Sequence, residues 1–458
     1  MGKTMAYRCV ECGWDSPRWV GRCGRCQAWG SVNEGQRQSG GIASQAPVRR
    51  AEPITEVDAA SARSIPTGIG ELDRVLGSGL TPGGVVLLAG EPGVGKSTLL
   101  LEVAGKWAAA GQKTLYISAE ESAAQVRRRA QRVQALDEGL YLAAETDLGA
   151  VLGHIEEQSP SLLVLDSVQT VSVPGADGVP GGVSQVKEVT LALARVAKQR
   201  DLAVLLVGHV TKDGAVAGPR TLEHLVDVVL TFEGDKNSEL RMVRATKNRF
   251  GPADEVGCFE LTETGIAEVR DPSGLFVAHH EEPACGSCLT VCLEGRRPLL
   301  TEIQALVAPS PANNPKRVAN GIDSGRLAML LAVLSRRAKV KLGNKEVYVS
   351  TIGGARTCDP AVDLALALAV AAAAADKSFP RPIIAFGEVG LSGEIRRAPG
   401  VERRLGEAAR LGASLALVPL GSRTKIPGLE VIEVGTLTQA LALLGLRGKP
   451  KLELLDTA

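Results

Sequence analysis

The stretch Gly90-Glu91-Pro92-Gly93-Val94-Gly95-Lys96-Ser97-Thr98 narrows what this chain can become more than any other. It matches G-x-x-x-x-G-K-[ST], follows an apolar run at 85–89, and opens a helical pattern carried by Leu99, Leu100, Val103 and Ala104. Strand, glycine-rich turn and helix in that order make a phosphate cradle. The glycines let backbone N–H groups curl around an anion, and the helix N-terminus adds partial positive charge. Residues Gly90 to Thr98 are therefore expected to bind ATP, with Lys96 neutralising the β- and γ-phosphates and the Ser97 hydroxyl on Mg²⁺. A second apolar run, 162–165, ends in Asp166, the acid expected to hold the Mg²⁺ shell.

Water is a weak nucleophile at neutral pH, so hydrolysis needs a further acid to polarise it. Tyr116-Ile117-Ser118-Ala119-Glu120-Glu121-Ser122 puts two acids at the carboxyl end of a strand, where ligands sit in open α/β sheets. Glu120 is the preferred base; an acid pair that merely complements a helix dipole would look the same. From 64 to 271, apolar runs at 85–89, 114–118, 162–165, 203–207 and 228–232 alternate with amphipathic stretches. That alternation predicts the α/β class and a doubly wound P-loop domain.

Ahead of this domain, Cys9-x2-Cys12-x10-Cys23-x2-Cys26 gives two tight thiol pairs within 6–34. Four thiolates close a tetrahedral Zn²⁺ site, structural because no ligand position stays open, and the metal would supply the folding energy of so small a unit. Trp14, Trp19 and Trp29, with Arg18, Arg22 and Arg25, could stack on bases or contact phosphates; the preferred reading has the tryptophans covering the metal core. Residues 35–63 show little apolar periodicity and read as a linker. Cys285, Cys288 and Cys292 offer only three thiols on a run, Leu289-Thr290-Val291, that reads as strand, and are taken as buried or incidental. Lys plus Arg number 52 against 51 Asp plus Glu, which excludes a histone-like basic protein. The N-terminus lacks an apolar signal segment, and 362–375 is short for a membrane span and carries Asp363. A cytoplasmic chain without membrane partners is expected.

The cysteine unit, the phosphate loop, Gly208-His209-Val210-Thr211-Lys212 and Lys247-Asn248-Arg249-Phe250-Gly251 together resemble the bacterial RadA/Sms DNA-repair family over essentially the whole chain. The resemblance implies a RecA-like ATPase that forms hexameric rings, binds single-stranded and branched DNA, drives branch migration and works beside a partner recombinase. It also implies that Lys247 and Arg249 act at the subunit boundary, on a neighbour's nucleotide or on DNA. The loops 174–184 and 211–220, the second carrying Lys212 and Arg220, would line a DNA channel.

Residues 272–458 are similar to the proteolytic domain of Lon, through Phe386-Gly387-Glu388-Val389-Gly390-Leu391-Ser392-Gly393-Glu394-Ile395 and the helix near 403–412. The serine position falls on Ala361 and the lysine position near Arg403. Alanine has no nucleophile and Arg cannot act as a base, so this Lon-like α+β domain is expected to be a scaffold without peptidase chemistry. Two rival functions stand against the DNA motor: a nucleotide-switched regulator that does not move on DNA, and an ATP-dependent protease.

Overall fold

The computed structural model describes residues 7–34, 53–56, 58, 63–176, 178–179, 181–209, 219–234, 240–273, 284–311, 314–352, 357–379 and 383–446. Most of the 35–63 linker, and Lys212, lie outside them. The chain divides into two compact units, Met1–Ala59 and Ala60–Ala458. In the first, strands Tyr7–Cys9 (β1), Asp15–Ser16 (β2) and Val32–Glu34 (β3) form an antiparallel sheet in the order β2-β1-β3. Its core is small: Cys9, Cys23 and Val32 are buried, and Trp14 and Val20 pack against them.

The second unit opens with helix Gly70–Leu76 (α1). Strands and helices then alternate: Val85–Gly90 (β4), Lys96–Ala109 (α2), Thr114–Ser118 (β5), Ala123–Arg132 (α3), Leu140–Ala144 (β6), Leu148–Gln158 (α4), Leu162–Asp166 (β7), Val183–Arg200 (α5), Ala203–His209 (β8) and Pro219–Leu222 (α6). Strands Val228–Gly234 (β9), Leu240–Asn248 (β10), Val256–Thr262 (β11) and Gly265–Glu268 (β12) follow, with no helix between them among the described residues. All nine strands join one sheet, ordered β12-β11-β10-β9-β4-β8-β7-β5-β6. From β9 to β6 every pairing is parallel; β10 to β12 add an antiparallel flap.

Period-two alternation explains why the parallel strands are apolar throughout. Val86 and Leu88 of β4 face the layer containing α2 and α3, while Val85 and Leu87 face the layer containing α4 and α5. Each strand foreseen in this domain is present, and most run one or two residues further than their apolar runs. β10 runs to Asn248 across a register shift between Ala245 and Lys247 that keeps it paired with β9.

The C-terminal region contains Ser287–Glu294 (β13), Arg297–Pro309 (β14), Arg317–Asn320 (β15), Ser324–Arg336 (α7), Lys345–Thr351 (β16), Asp363–Ala375 (α8), Ile383–Ala385 (β17), Glu388–Val389 (β18), Ile395–Arg396 (β19), Val401–Arg410 (α9), Leu415–Pro419 (β20), Glu430–Val434 (β21) and Leu437–Leu443 (α10). Seven strands form a mixed sheet, β15-β16-β14-β13-β17-β20-β21, with β18 and β19 paired apart. Cys288 and Cys292 are buried in its core on β13, whereas Cys285 is exposed. The α8 helix is buried along nearly its whole length, as its Ala/Leu composition demands.

The tip of the β13–β14 hairpin locks this region to the nine-stranded sheet. Arg297 is 5% exposed, Glu71 of α1 is 2% exposed, and the two form an ion pair. The same guanidinium donates to the carbonyls of Val256 (3.1 Å) and Arg270 (3.0 Å), while Glu71 accepts the Cys258 amide at 2.9 Å. Arg410 adds a two-pronged pair to Asp271 at 2.9 and 3.0 Å.

Candidate nucleotide and metal sites

The loop after β4 adopts the conformation its glycines foretell. Gly93 and Gly95 have φ of 80° and 111°, where a side chain would strain the backbone. A β-carbon on Gly90 would stand 2.4 Å from the Phe232 carbonyl oxygen, so that position also has no room for one. Gly95 caps α2 without any side-chain hydrogen bond, which leaves the first amides of the helix free to meet an anion. Ser97 is half-buried on the first turn of α2. Lys96 is buried, and its Nζ donates to the carbonyls of Gly90 (3.0 Å) and Glu91 (2.9 Å). Burial lowers its pKa, and the nearby carboxylates of Asp166 and Glu120 oppose that shift. The ammonium is therefore held against its own loop and within the field of both acids.

Those acids stand side by side because β5 and β7 are adjacent and parallel, with Ser118 opposite Asp166. Asp166 is buried and accepts a 2.8 Å hydrogen bond from Tyr116 Oη. Burial, then the Asp166 charge, pushes the Tyr116 hydroxyl well above its ordinary range, so it stays a donor. Glu120 Oε1 accepts from Ser167 Oγ at 2.5 Å and faces His209 Nε2 at 3.0 Å. Glu121 is spent differently. Its carboxylate pairs with Arg129 of α3, and its backbone is tied to Ser118 Oγ. The two acids are thus distinguished by geometry: Glu120 belongs to the cluster with Asp166, Ser167 and His209, and Glu121 to the foot of α3.

Tyr116, Ser167 and the imidazole of His209 were not foreseen as members of this cluster. A lone phenol in an otherwise aliphatic strand was the available signal, since a buried hydroxyl must find a partner.

Lys247 and Arg249 lie elsewhere. Lys247 and Asn248 pair with Val229 and Val228, and the Arg249 amide donates to the Asp227 carbonyl, level with Val85 at the start of β4. Gly90, at the phosphate end, is five residues further along, roughly 16 Å at ~3.3 Å per strand residue. Neither cation reaches the loop of its own chain. Nor are they a loose basic loop. Lys247 Nζ donates to the carbonyls of Glu223 and Val226, and Arg249 pairs with Asp227 at 3.1 Å. Asn248 closes the carbonyl end of α1 through Val75 and Leu76 and receives the amides of Phe250 and Gly251. Arg220 falls in α6.

In the first unit the Sγ atoms of Cys9, Cys12, Cys23 and Cys26 all lie within 4.8 Å of one another. Cys9–Cys26 and Cys12–Cys23 are 3.6 and 3.5 Å apart, close to the ~3.8 Å edge of a tetrahedron with ~2.3 Å Zn–S bonds. The Ser31 hydroxyl, 3.3 Å from Cys9 Sγ, draws that thiol down to about 6, favouring the thiolate a metal requires. The donor set fits zinc. The tryptophans divide: Trp14 packs on the thiol cluster, but Trp19 and Trp29 are 62% and 77% exposed and do not cover it. That corrects the expectation that all three serve the metal core.

At the Lon-like position Ala361 is buried in a 3₁₀ turn, its carbonyl accepting from the Gly387 amide at 2.7 Å. Arg403 is exposed, while Arg404 is buried on Asp359 (2.7 Å) over the Phe386 ring. Neither Ala361 nor Arg403 offers a nucleophile or a base there.

Comparison with known proteins agrees with this geometry. Residues 50–215 match the family described as AAA domain, and residues 7–34 the family described as Rubredoxin metal binding domain. The chain is 54% identical over 446 residues to "DNA repair protein RadA" of Mycolicibacterium smegmatis, covering 95% of this chain and 96% of that protein. It is 52% identical over 441 residues to the protein of that name from Mycobacterium tuberculosis (95% and 92% covered) and 42% over 453 residues to that of Bacillus subtilis (96% and 99%).

Proposed function

The chain belongs to the RadA family of DNA repair proteins, and from that premise we propose that it is an ATP-driven motor on single-stranded DNA. It would process branched recombination intermediates beside a partner recombinase, in the cytoplasm, as a hexameric ring. Among the described residues no helix is long and apolar enough to cross a membrane.

One observation carries the reading: a single carboxylate, Glu120, joins the nucleotide site through His209 to the end of β8, just ahead of the stretch 211–220 whose sequence reads as a DNA-channel loop. In the proposed reaction Lys96 and the amides opening α2 hold the phosphates, and Ser97 and Asp166 would hold Mg²⁺, which supplies charge neutralisation. Glu120 takes the proton of the attacking water, and a shift of His209 as DNA fills the following loop changes the availability of Glu120. Lys212 and Arg220 would meet the phosphodiester backbone there. The position of Lys247 and Arg249, too far from their own phosphate loop to serve it, supports action on a neighbour's nucleotide. Zn²⁺ on Cys9, Cys12, Cys23 and Cys26 would be structural, and buried Ala361 speaks against proteolysis.

The test is the ATP turnover of the purified chain with and without single-stranded DNA. Stimulation of several-fold is expected; turnover indifferent to DNA would replace the motor with a nucleotide-switched regulator.

A further inference from the structure

The zinc unit presents two indoles to solvent that its fold does not need. Trp19 and Trp29 are exposed, while the small core around the thiols is closed by Val32, Trp14 and Val20. Large exposed aromatics mark contact surfaces, since water is a poor neighbour for an indole face. These two share one spot. A β-carbon on Gly21 would lie 3.7 Å from Trp19 Cη2 and 3.9 Å from Trp29 Cζ3, so the missing side chain leaves a notch bordered by both rings. The Arg22–Trp29 bridge fixes one wall: the Arg22 guanidinium sits 5.7 Å from the Trp29 ring centroid and is anchored to Gln27 at 2.9 and 2.7 Å.

Charge selects the occupant. From Arg18 to Trp29 the sequence carries three arginines and no acid, and Arg18 and Arg25 are exposed without an ion pair to any described residue. An anionic partner follows. An acidic peptide would satisfy the arginines and leave the indoles without planar groups to stack on. A nucleic acid satisfies both, because phosphates meet guanidinium groups and bases meet rings whatever their sequence. A duplex keeps its bases stacked inside, so a single strand fits the notch.

We propose that Trp19, Gly21 and Trp29 form an aromatic clip that stacks on bases of single-stranded DNA, with Arg18, Arg22 and Arg25 on the flanking phosphates. The inference rests on the reading of the chain as a single-strand-binding motor and gives its zinc unit a direct share in the grip.

The experiment uses the full chain and an oligothymidylate of about 25 nucleotides. In the wild type the oligonucleotide should quench tryptophan fluorescence and shield it from acrylamide; Trp107, being buried, contributes little to either signal. Trp19→Ala with Trp29→Ala should weaken binding about tenfold, and Gly21→Val, which fills the notch without removing a ring, should weaken it severalfold. Zinc content and DNA-free ATP turnover should remain at wild-type level in both. Wild-type affinity in both variants, or no shielding in the wild type while it binds DNA, overturns the clip alone, gives the face to a protein partner, and leaves the motor standing. A wild-type chain that does not bind the oligonucleotide at all overturns the motor and the clip together.

Discussion

Tyr116 Oη donates a 2.8 Å hydrogen bond to Asp166 Oδ2 from inside the sheet, fixing the carboxylate proposed to hold Mg²⁺. Removing such a partner from behind a metal-binding carboxylate commonly costs 10- to 100-fold in metal affinity. Tyr116→Phe should therefore raise the Mg²⁺ concentration that half-saturates ATP turnover about tenfold, with nucleotide binding in the absence of Mg²⁺ unchanged. A titration of turnover against free Mg²⁺ checks it; an unmoved midpoint would mean Asp166 needs no such support.

Glu120 and Glu121 are neighbours in sequence with different partners, so their amides should behave differently. Glu120→Gln should cut turnover by about 10²–10⁴-fold while retaining ATP binding. Glu121→Gln should cost less than about tenfold, because it weakens only the Arg129 pair. Steady-state rates together with fluorescent-nucleotide binding distinguish the two, and equal losses would dissolve the assignment.

Metal analysis should find one zinc per chain. Either Cys9→Ser or Cys26→Ser should release it, and strong chelators should unfold residues 7–34 while the nine-stranded domain keeps its melting temperature. Zinc retained after both substitutions would remove the four-thiolate site.

Arg297→Ala removes the guanidinium from the carbonyls of Val256, Val269 and Arg270 and from Glu71, which keeps Arg74 and the Cys258 amide in a buried junction. Breaking a buried pair from one side costs about 3–5 kcal/mol. Urea denaturation should record that loss in unit 2, and Arg297→Met should recover part of it by refilling the volume. A loss below about 1 kcal/mol would mean the junction is wet.

Lys247→Ala and Arg249→Ala should each lower DNA-stimulated turnover far more than ATP binding, by roughly 10³ if the cation stabilises transition-state charge. Mixing Arg249→Ala chains with Lys96→Ala chains should restore partial activity, since some boundaries then pair an intact loop with an intact arginine. Co-assembly without recovery would assign both residues to their own chain or to DNA.

Much of this was legible in the residues. The phosphate loop announces itself because anion binding demands glycines, a lysine and a helix start at fixed spacing, and Asp166 because it ends an all-apolar run. β6 was missed although Leu140-Tyr141-Leu142-Ala143-Ala144 is an apolar run; at the sheet edge it is only partly buried, with Tyr141 and Ala144 exposed. β11 and β12 of the flap escaped because glycine, glutamate and threonine interrupt their apolar residues and leave no sustained run. Asn248 gave no hint that it closes α1, since its partners Val75 and Leu76 stand more than 170 residues away. Which way Trp19 and Trp29 point depends on a metal-centred knuckle that composition does not encode.

The sheet carries the phosphate loop at one end of β4 and Lys247 and Arg249 at the other, and this has a consequence for symmetry. A two-fold dimer exchanges the two only where one self-complementary patch holds both the loop and the far edge, each chain then serving the other. Head-to-tail stacking needs no such shared patch, but if the two cations serve a neighbour as proposed, every open stack ends with one loop unserved and one arginine idle. In such a stack each nucleotide would be completed once the rotation between successive chains closes on itself. The number of competent sites then equals the number of chains, and losing one chain idles a second site that still holds ATP.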